Sequence, residues 1–96
     1  MEKYNLILGF LDKVVHDSRL MPTHVSLYTT LLFQWKESRF SVPFRVTRRE
    51  LMQLSKIAST STYHKCLKEL IACGYIRYEP SYHPQQASQV LLLTDE

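Results

Sequence analysis

Between Tyr4 and Val15 the apolar residues Tyr4, Ile7, Leu8, Leu11, Val14 and Val15 recur at three- and four-residue steps, the spacing of an amphipathic helix. Leu6 and Phe10 form a second strip on the same helix, so its apolar surface is wider than one small core uses. Two explanations stand side by side. Either the Leu6/Phe10 face docks a partner, for instance a second copy of the chain, or the C-terminal strands or sequence downstream cover it. Pro22 and Thr23 open a second helix in which Val25, Tyr28, Leu31, Leu32 and Trp35 keep the helical period, until polar residues end it near Arg39. Val42 to Val46, interrupted by Pro43, fits a brief edge strand.

Thr47-Arg48-Arg49-Glu50 has the Ser/Thr-x-x-Glu form of a capping box and predicts a third helix starting at Thr47, with Glu50 reaching back to the cap. That helix is short, because only Leu51 and Leu54 give it apolar turns before Ser55-Lys56-Ile57-Ala58. Ser59-Thr60-Ser61-Thr62 is a cluster of cap-type residues. It opens a fourth helix, from about Thr60 to Cys73, with Tyr63, Cys66, Leu67, Leu70 and Ile71 on one face and Gly74 as its stop. The opposite face carries Thr60, Ser61, His64, Lys65 and Lys68, all able to donate hydrogen bonds. Tyr75 to Glu79 and Ser88 to Leu93 read as two strands of a hairpin. The polar, proline-bounded segment 80–87 forms its tip, since Pro80, His83, Pro84, Gln85 and Gln86 do not suit burial.

The 96 residues, 45% hydrophobic, suit a single domain over 1–96. No apolar run reaches the ~18 residues of a membrane span and no signal-peptide pattern opens the chain, so the expectation is a soluble, cytoplasmic protein with no membrane partner. The chain stops just after a strand, which leaves room for a longer parent. Cys66 and Cys73 lie seven apart on one helix, roughly 10 Å along its axis, too far to bridge, and read as reduced core thiols. His64 and His83 are in principle recruitable to a metal, but the ligand spacings of a zinc site are missing, so no metal and no cofactor is expected. With two glycines in all there is no phosphate-binding loop. Cys66 and His64 point about 200° apart on their helix, which removes the one pairing suggestive of a catalytic dyad. The reading is therefore of a protein that is not an enzyme.

Charge alters the picture more by its distribution than by its total of +3. From Lys36 to Arg77 there are nine Lys/Arg against three acids, whereas the first 35 residues balance and the last 19 carry −3. Positive charge concentrated in the middle of the chain is what a segment meeting a polyanion has; a solvated basic surface is the plainer alternative.

The fold class expected is mainly α with a small β-hairpin, in the order α-α-β-α-α-β-β of a winged helix-turn-helix, with the fourth helix in the major groove of DNA and the hairpin as wing. The run Ser59-Thr60-Ser61-Thr62-Tyr63-His64-Lys65-Cys66-Leu67-Lys68-Glu69-Leu70, followed by Gly74-Tyr75-Ile76, resembles the recognition helix and first wing strand of winged-helix repressors of the GntR type. Those read Ser-x-x-Thr-apolar-Arg-Lys-x-Leu-x-x-Leu and then Gly-apolar-Ile. The likeness covers roughly a third of the chain. A looser one, over most of it, is to winged-helix domains of bacterial phages and mobile elements, including replication initiators.

The resemblance implies double-stranded DNA as partner and a role in transcription regulation or in mobile-element replication and maintenance, at the bacterial nucleoid. It implies that Ser59 caps the helix and that Thr60, Thr62 and His64 face DNA. The repressors often have arginines at the positions of Thr60 and His64, so bidentate guanine contacts are weakened here. Ser61 shares the small polar turn, Lys65 and Lys68 suit phosphates, and Arg48, Arg49 and Lys56 add contacts from the third helix and the turn. The wing lacks the usual glycine and arginine at its tip, where His83, Gln85 and Gln86 are the candidates. Tyr63, Cys66, Leu67, Leu70 and Trp35 are core residues, and His16 and His24 surface or cap residues. A protein-docking module is the competing class, and the charged face of the fourth helix separates the two.

Overall fold

The computed structural model describes residues 2–81 and 87–93. The described residues are mainly helical, with four helices and a small antiparallel sheet: α1 (Glu2–His16), α2 (Pro22–Glu37), β1 (Phe44–Val46), α3 (Arg48–Ser55), α4 (Thr60–Ala72), β2 (Ile76–Glu79) and β3 (Ser88–Leu92). The strand order is β1-β3-β2, so the last strand lies in the middle. β3 pairs with β1 through Phe44↔Val90 and Val46↔Ser88, and with β2 through Ile76↔Leu92 and Glu79↔Gln89. β1 is an edge strand, as its sequence predicts, but starts two residues later than Val42.

α2 is the hub. Leu27, Tyr28 and Leu31 are fully buried on it, and around them gather Val14 from α1, Leu51 from α3, Tyr63 and Leu70 from α4, and Val46, Ile76 and Val90 from the sheet. Because strand side chains alternate, the same register that turns Val46, Ile76 and Val90 inward turns Arg45, Arg77 and Gln89 to solvent.

Helix ends follow the local chemistry. Thr47 Oγ1 accepts from the Glu50 amide at 3.2 Å while its hydroxyl meets Glu50 Oε1 at 3.0 Å, the expected capping interaction of α3. Ser59 Oγ accepts from the Thr62 amide at 3.2 Å and caps α4. α4 ends in a Schellman motif, with Tyr75 N donating to Leu70 O and Gly74 N to Ile71 O, and Gly74 at φ 81° supplies the left-handed residue that this motif requires. α3 ends the same way on Lys56, at φ 66°, with Ile57 N donating to Met52 O. α2 stops at Glu37, two residues before the predicted end, because Arg39 and Phe40 are both left-handed and fold Phe40 back onto the Trp35 ring, 4.9 Å between centroids.

On α1 the packed face differs from the expected one. Phe10 is only 5% exposed and packs edge-on against Trp35 and Tyr28 of α2, with centroids 5.7 and 6.4 Å away. A dimer face built on Leu6 and Phe10 is thereby removed, since α2 already covers Phe10. Tyr4, Leu8 and Val15, expected in the core, are exposed, and Leu11 is half-buried. Val25, Leu54 and Ile71, also placed on packed faces by periodicity, sit at the margins of theirs and are exposed. The α1–α2 link is pinned at its far side. Asp17 binds Arg19 through both carboxylate oxygens, at 2.9 and 2.6 Å, and accepts the Tyr75 hydroxyl at 2.7 Å, while Lys13 lies 4.5 Å over the Tyr75 ring. Arg19 and the Tyr75 hydroxyl together hold the Asp17 carboxyl well below the usual carboxylate range. Both cysteines are free, Cys66 buried and Cys73 half-buried.

Candidate nucleic-acid interface

Ser59, by capping α4, starts the helix with three small polar residues, Thr60, Ser61 and Thr62, of which Thr60 and Ser61 are exposed and Thr62 is half-buried. Tyr63, Cys66, Leu67 and Leu70 anchor the other side in the core. The anchoring fixes which residues look outward. These are Thr60, Ser61, His64, Lys65 and Lys68, the five read from the sequence as one face. The His64 ring stands edge-on to Tyr63 at 5.2 Å, which limits where the imidazole swings.

Arg48 and Arg49, in the first turn of α3, and Lys56, at its C-terminus, are exposed. Burial pushes the Tyr63 phenol up to about 12, with Tyr78 adding to the rise and the charge of Arg48 opposing it. Arg48 is thus felt at the root of α4. Lys56, Ser59 and Thr62 share the wall of a shallow groove of about 400 Å³ with Pro22, Thr23 and Ser26 of α2. Ser26 closes the base of that contact by donating its hydroxyl to the Ser55 carbonyl. Among the described residues, none of Arg48, Arg49, Lys56, Lys65 and Lys68 is held in an ion pair, so their charge is available to an external anion.

The one acid on α4, Glu69, is turned away from this face. His24 of α2 contacts Glu69 Oε1 through Nε2 at 2.6 Å, and its Nδ1 accepts the Met21 amide at 2.8 Å. An acceptor at Nδ1 requires the neutral ring to carry its proton on Nε2, so Nε2–H donates to the carboxylate. His24 caps α2, as read from the sequence, yet it is a buried residue rather than a surface one. Glu50, the acid of α3, is taken up by its own cap.

Of the sequence-derived site residues, Arg48, Arg49, Lys56, Ser59, Thr60, Ser61, Thr62, His64, Lys65 and Lys68 are all placed on α3, α4 and the turn between them. His83, Gln85 and Gln86 lie outside the described residues. Sequence reasoning missed two features. Arg45 and Arg77 stand on the solvent face of the sheet, which strict alternation around Phe44, Val46 and Ile76 was able to signal. The contribution of the α2 N-terminus to the groove beside Lys56 had no local signal. No protein-family model, curated protein or solved structure matches this chain.

Proposed function

We propose that the protein binds double-stranded DNA as a winged helix-turn-helix, with α4 entering the major groove, α3 crossing the backbone and the β2–β3 hairpin acting as wing. The observation that carries this reading is the outward face of α4: small hydroxyl residues in its first turn, then His64, Lys65 and Lys68, with the helix's only carboxylate tied to α2. A helix fits the major groove, and short polar side chains at its start let the backbone approach base edges and phosphates. The element order with β3 between β1 and β2 is compatible with a wing built on the helix-turn-helix.

Its mechanism is binding without chemistry. Lys65 and Lys68 take phosphates along one strand, Arg48, Arg49 and Lys56 take phosphates beside them, and Thr60, Ser61 and His64 supply hydrogen bonds to bases. Because Thr60 and His64 stand where an arginine would give a bidentate guanine contact, most of the affinity is electrostatic. The test is anisotropy of a labelled duplex titrated at several salt concentrations, for the wild type and for Lys65→Ala/Lys68→Ala. Affinity of the wild type is expected to fall by about 0.9 log units per log unit of salt for each phosphate contact, and the variant slope to be shallower by about two contacts. Equal slopes for the two proteins would remove α4 from the interface.

A further inference from the structure

Among the described residues an exposed apolar row lies on α1. Tyr4 is 61% exposed, Leu8 47% and Val15 70%, and half-buried Leu11 completes the row. Positions 4, 8, 11 and 15 are spaced four, three and four, the a/d seam of a coiled coil, over about 16 Å of helix. The described strands do not reach it. Tyr75, just before β2, meets α1 with its hydroxyl 3.2 Å from Lys13 O, and Lys13 lies nine residues from Tyr4, on the opposite side of the helix.

We infer that this seam is where a second copy of the chain docks, its α1 running antiparallel to the first. A four-three-four row reads the same in both directions. A two-fold axis midway between Leu8 and Leu11 therefore sets Tyr4 against the other copy's Val15, and Leu8 against its Leu11, with no apolar residue left facing a polar one. The flanking residues agree. Asn5 and Asp12 border the seam on its solvent side, both exposed, and the antiparallel arrangement brings each Asn5 toward the other copy's Asp12, an amide donor beside a carboxylate.

Charge points the same way. The first 35 residues are balanced while 36–77 carry an excess of six positive charges. Two copies that approach through α1 therefore keep their basic surfaces apart. The exposed parts of the seam amount to roughly 400 Å² per protomer, about half of a standard interface, so the dimer is weak and forms at micromolar concentration or above. Formation of the dimer does not depend on the DNA reading. Taken with it, the two-fold gives a target made of two inverted half-sites.

The test is sedimentation equilibrium of the full 96-residue chain without DNA, from about 1 μM to about 1 mM, the span a weak interface requires. The wild type is expected to move from monomer to twice the monomer mass. Leu8→Glu is expected to stay monomeric with an unchanged circular-dichroism melt, and Phe33→Glu, an exposed apolar position on α2, to dimerise like the wild type. Tyr4→Lys and Val15→Glu are each expected to be monomeric alone and to form a mixed dimer when combined, since the antiparallel register alone sets residue 4 against residue 15. A wild type that stays monomeric throughout, or a dimer that survives Leu8→Glu, would overturn the inference. Failure of the mixed pair to associate would overturn the antiparallel register.

Discussion

Replacing His24 by alanine tests how α4 is held to the scaffold. The ring is 4% exposed and does two jobs at once. Loss of its bond to the Met21 amide removes an N-cap, worth about 1 kcal/mol. Loss of its bond to the Glu69 carboxylate removes a charge-assisted hydrogen bond of about 1.5–3 kcal/mol when buried, to be roughly halved because the Glu69 side chain is 44% exposed and regains water. The sum is about 2–2.5 kcal/mol, which for a domain of this size lowers Tm by about 8–20 °C. Glu69→Gln keeps an acceptor in place and is expected to cost under about 1 kcal/mol. Urea unfolding of His24→Ala, Glu69→Ala and His24→Ala/Glu69→Ala yields a coupling energy, expected near 1 kcal/mol. A His24→Ala protein within about 0.5 kcal/mol of the wild type, or a Glu69→Gln protein as damaged as His24→Ala, would refute the reasoning.

Phe10→Ala is expected to cost about 3–5 kcal/mol as a core truncation, whereas Leu6→Ala, at an exposed site, costs under about 1 kcal/mol; chemical denaturation separates the two. Asp17, held low by Arg19 and Tyr75, contributes stability that is fully present above the unfolded carboxyl value of about 3.9 and is lost as pH falls through the folded one. Asp17→Asn should therefore lose less stability than the wild type in thermal melts carried from pH 5 to pH 2. At the alkaline end, the Tyr63 and Tyr75 phenols, pushed up to about 12, favour the folded state below pH 10 and cease to as pH rises toward 12; absorbance titration should show these two among the last to ionise. Lys56→Gly relieves a left-handed lysine and is expected to raise stability by about 0.5–1 kcal/mol while weakening binding to duplex DNA.

The parts of the fold governed by neighbouring residues were legible in the sequence. Thr47 with Glu50, Ser59 with Thr62, and Gly74 at its left-handed position act within a few residues of themselves, and they fixed where α3 and α4 begin and where α4 ends. With those ends set, the outward face of α4 followed from its apolar period. α1 was misread because two rows, one through 7, 10 and 14 and the other through 4, 8, 11 and 15, both satisfy helical spacing. Only Tyr28 and Trp35, on another helix, decide between them. Leu54 and Ile71 failed for a related reason, since a residue at the margin of an apolar arc is buried or not according to its neighbour's size. Nothing local announces that β3 inserts between β1 and β2, or that His24 finds Glu69 forty-five residues away. The solvent-facing Arg45 and Arg77, by contrast, follow from strand alternation beside Phe44, Val46 and Ile76.

The most direct test of the central claim is a residue-resolved one, the amide chemical-shift changes of isotopically labelled protein on addition of a short duplex at low salt. The DNA reading predicts the largest changes at Ser59 to Lys68, with Arg48, Arg49 and Lys56 following, and their reversal as salt is raised. Changes confined to Tyr4, Leu8 and Val15, or no changes at any salt concentration, would contradict it.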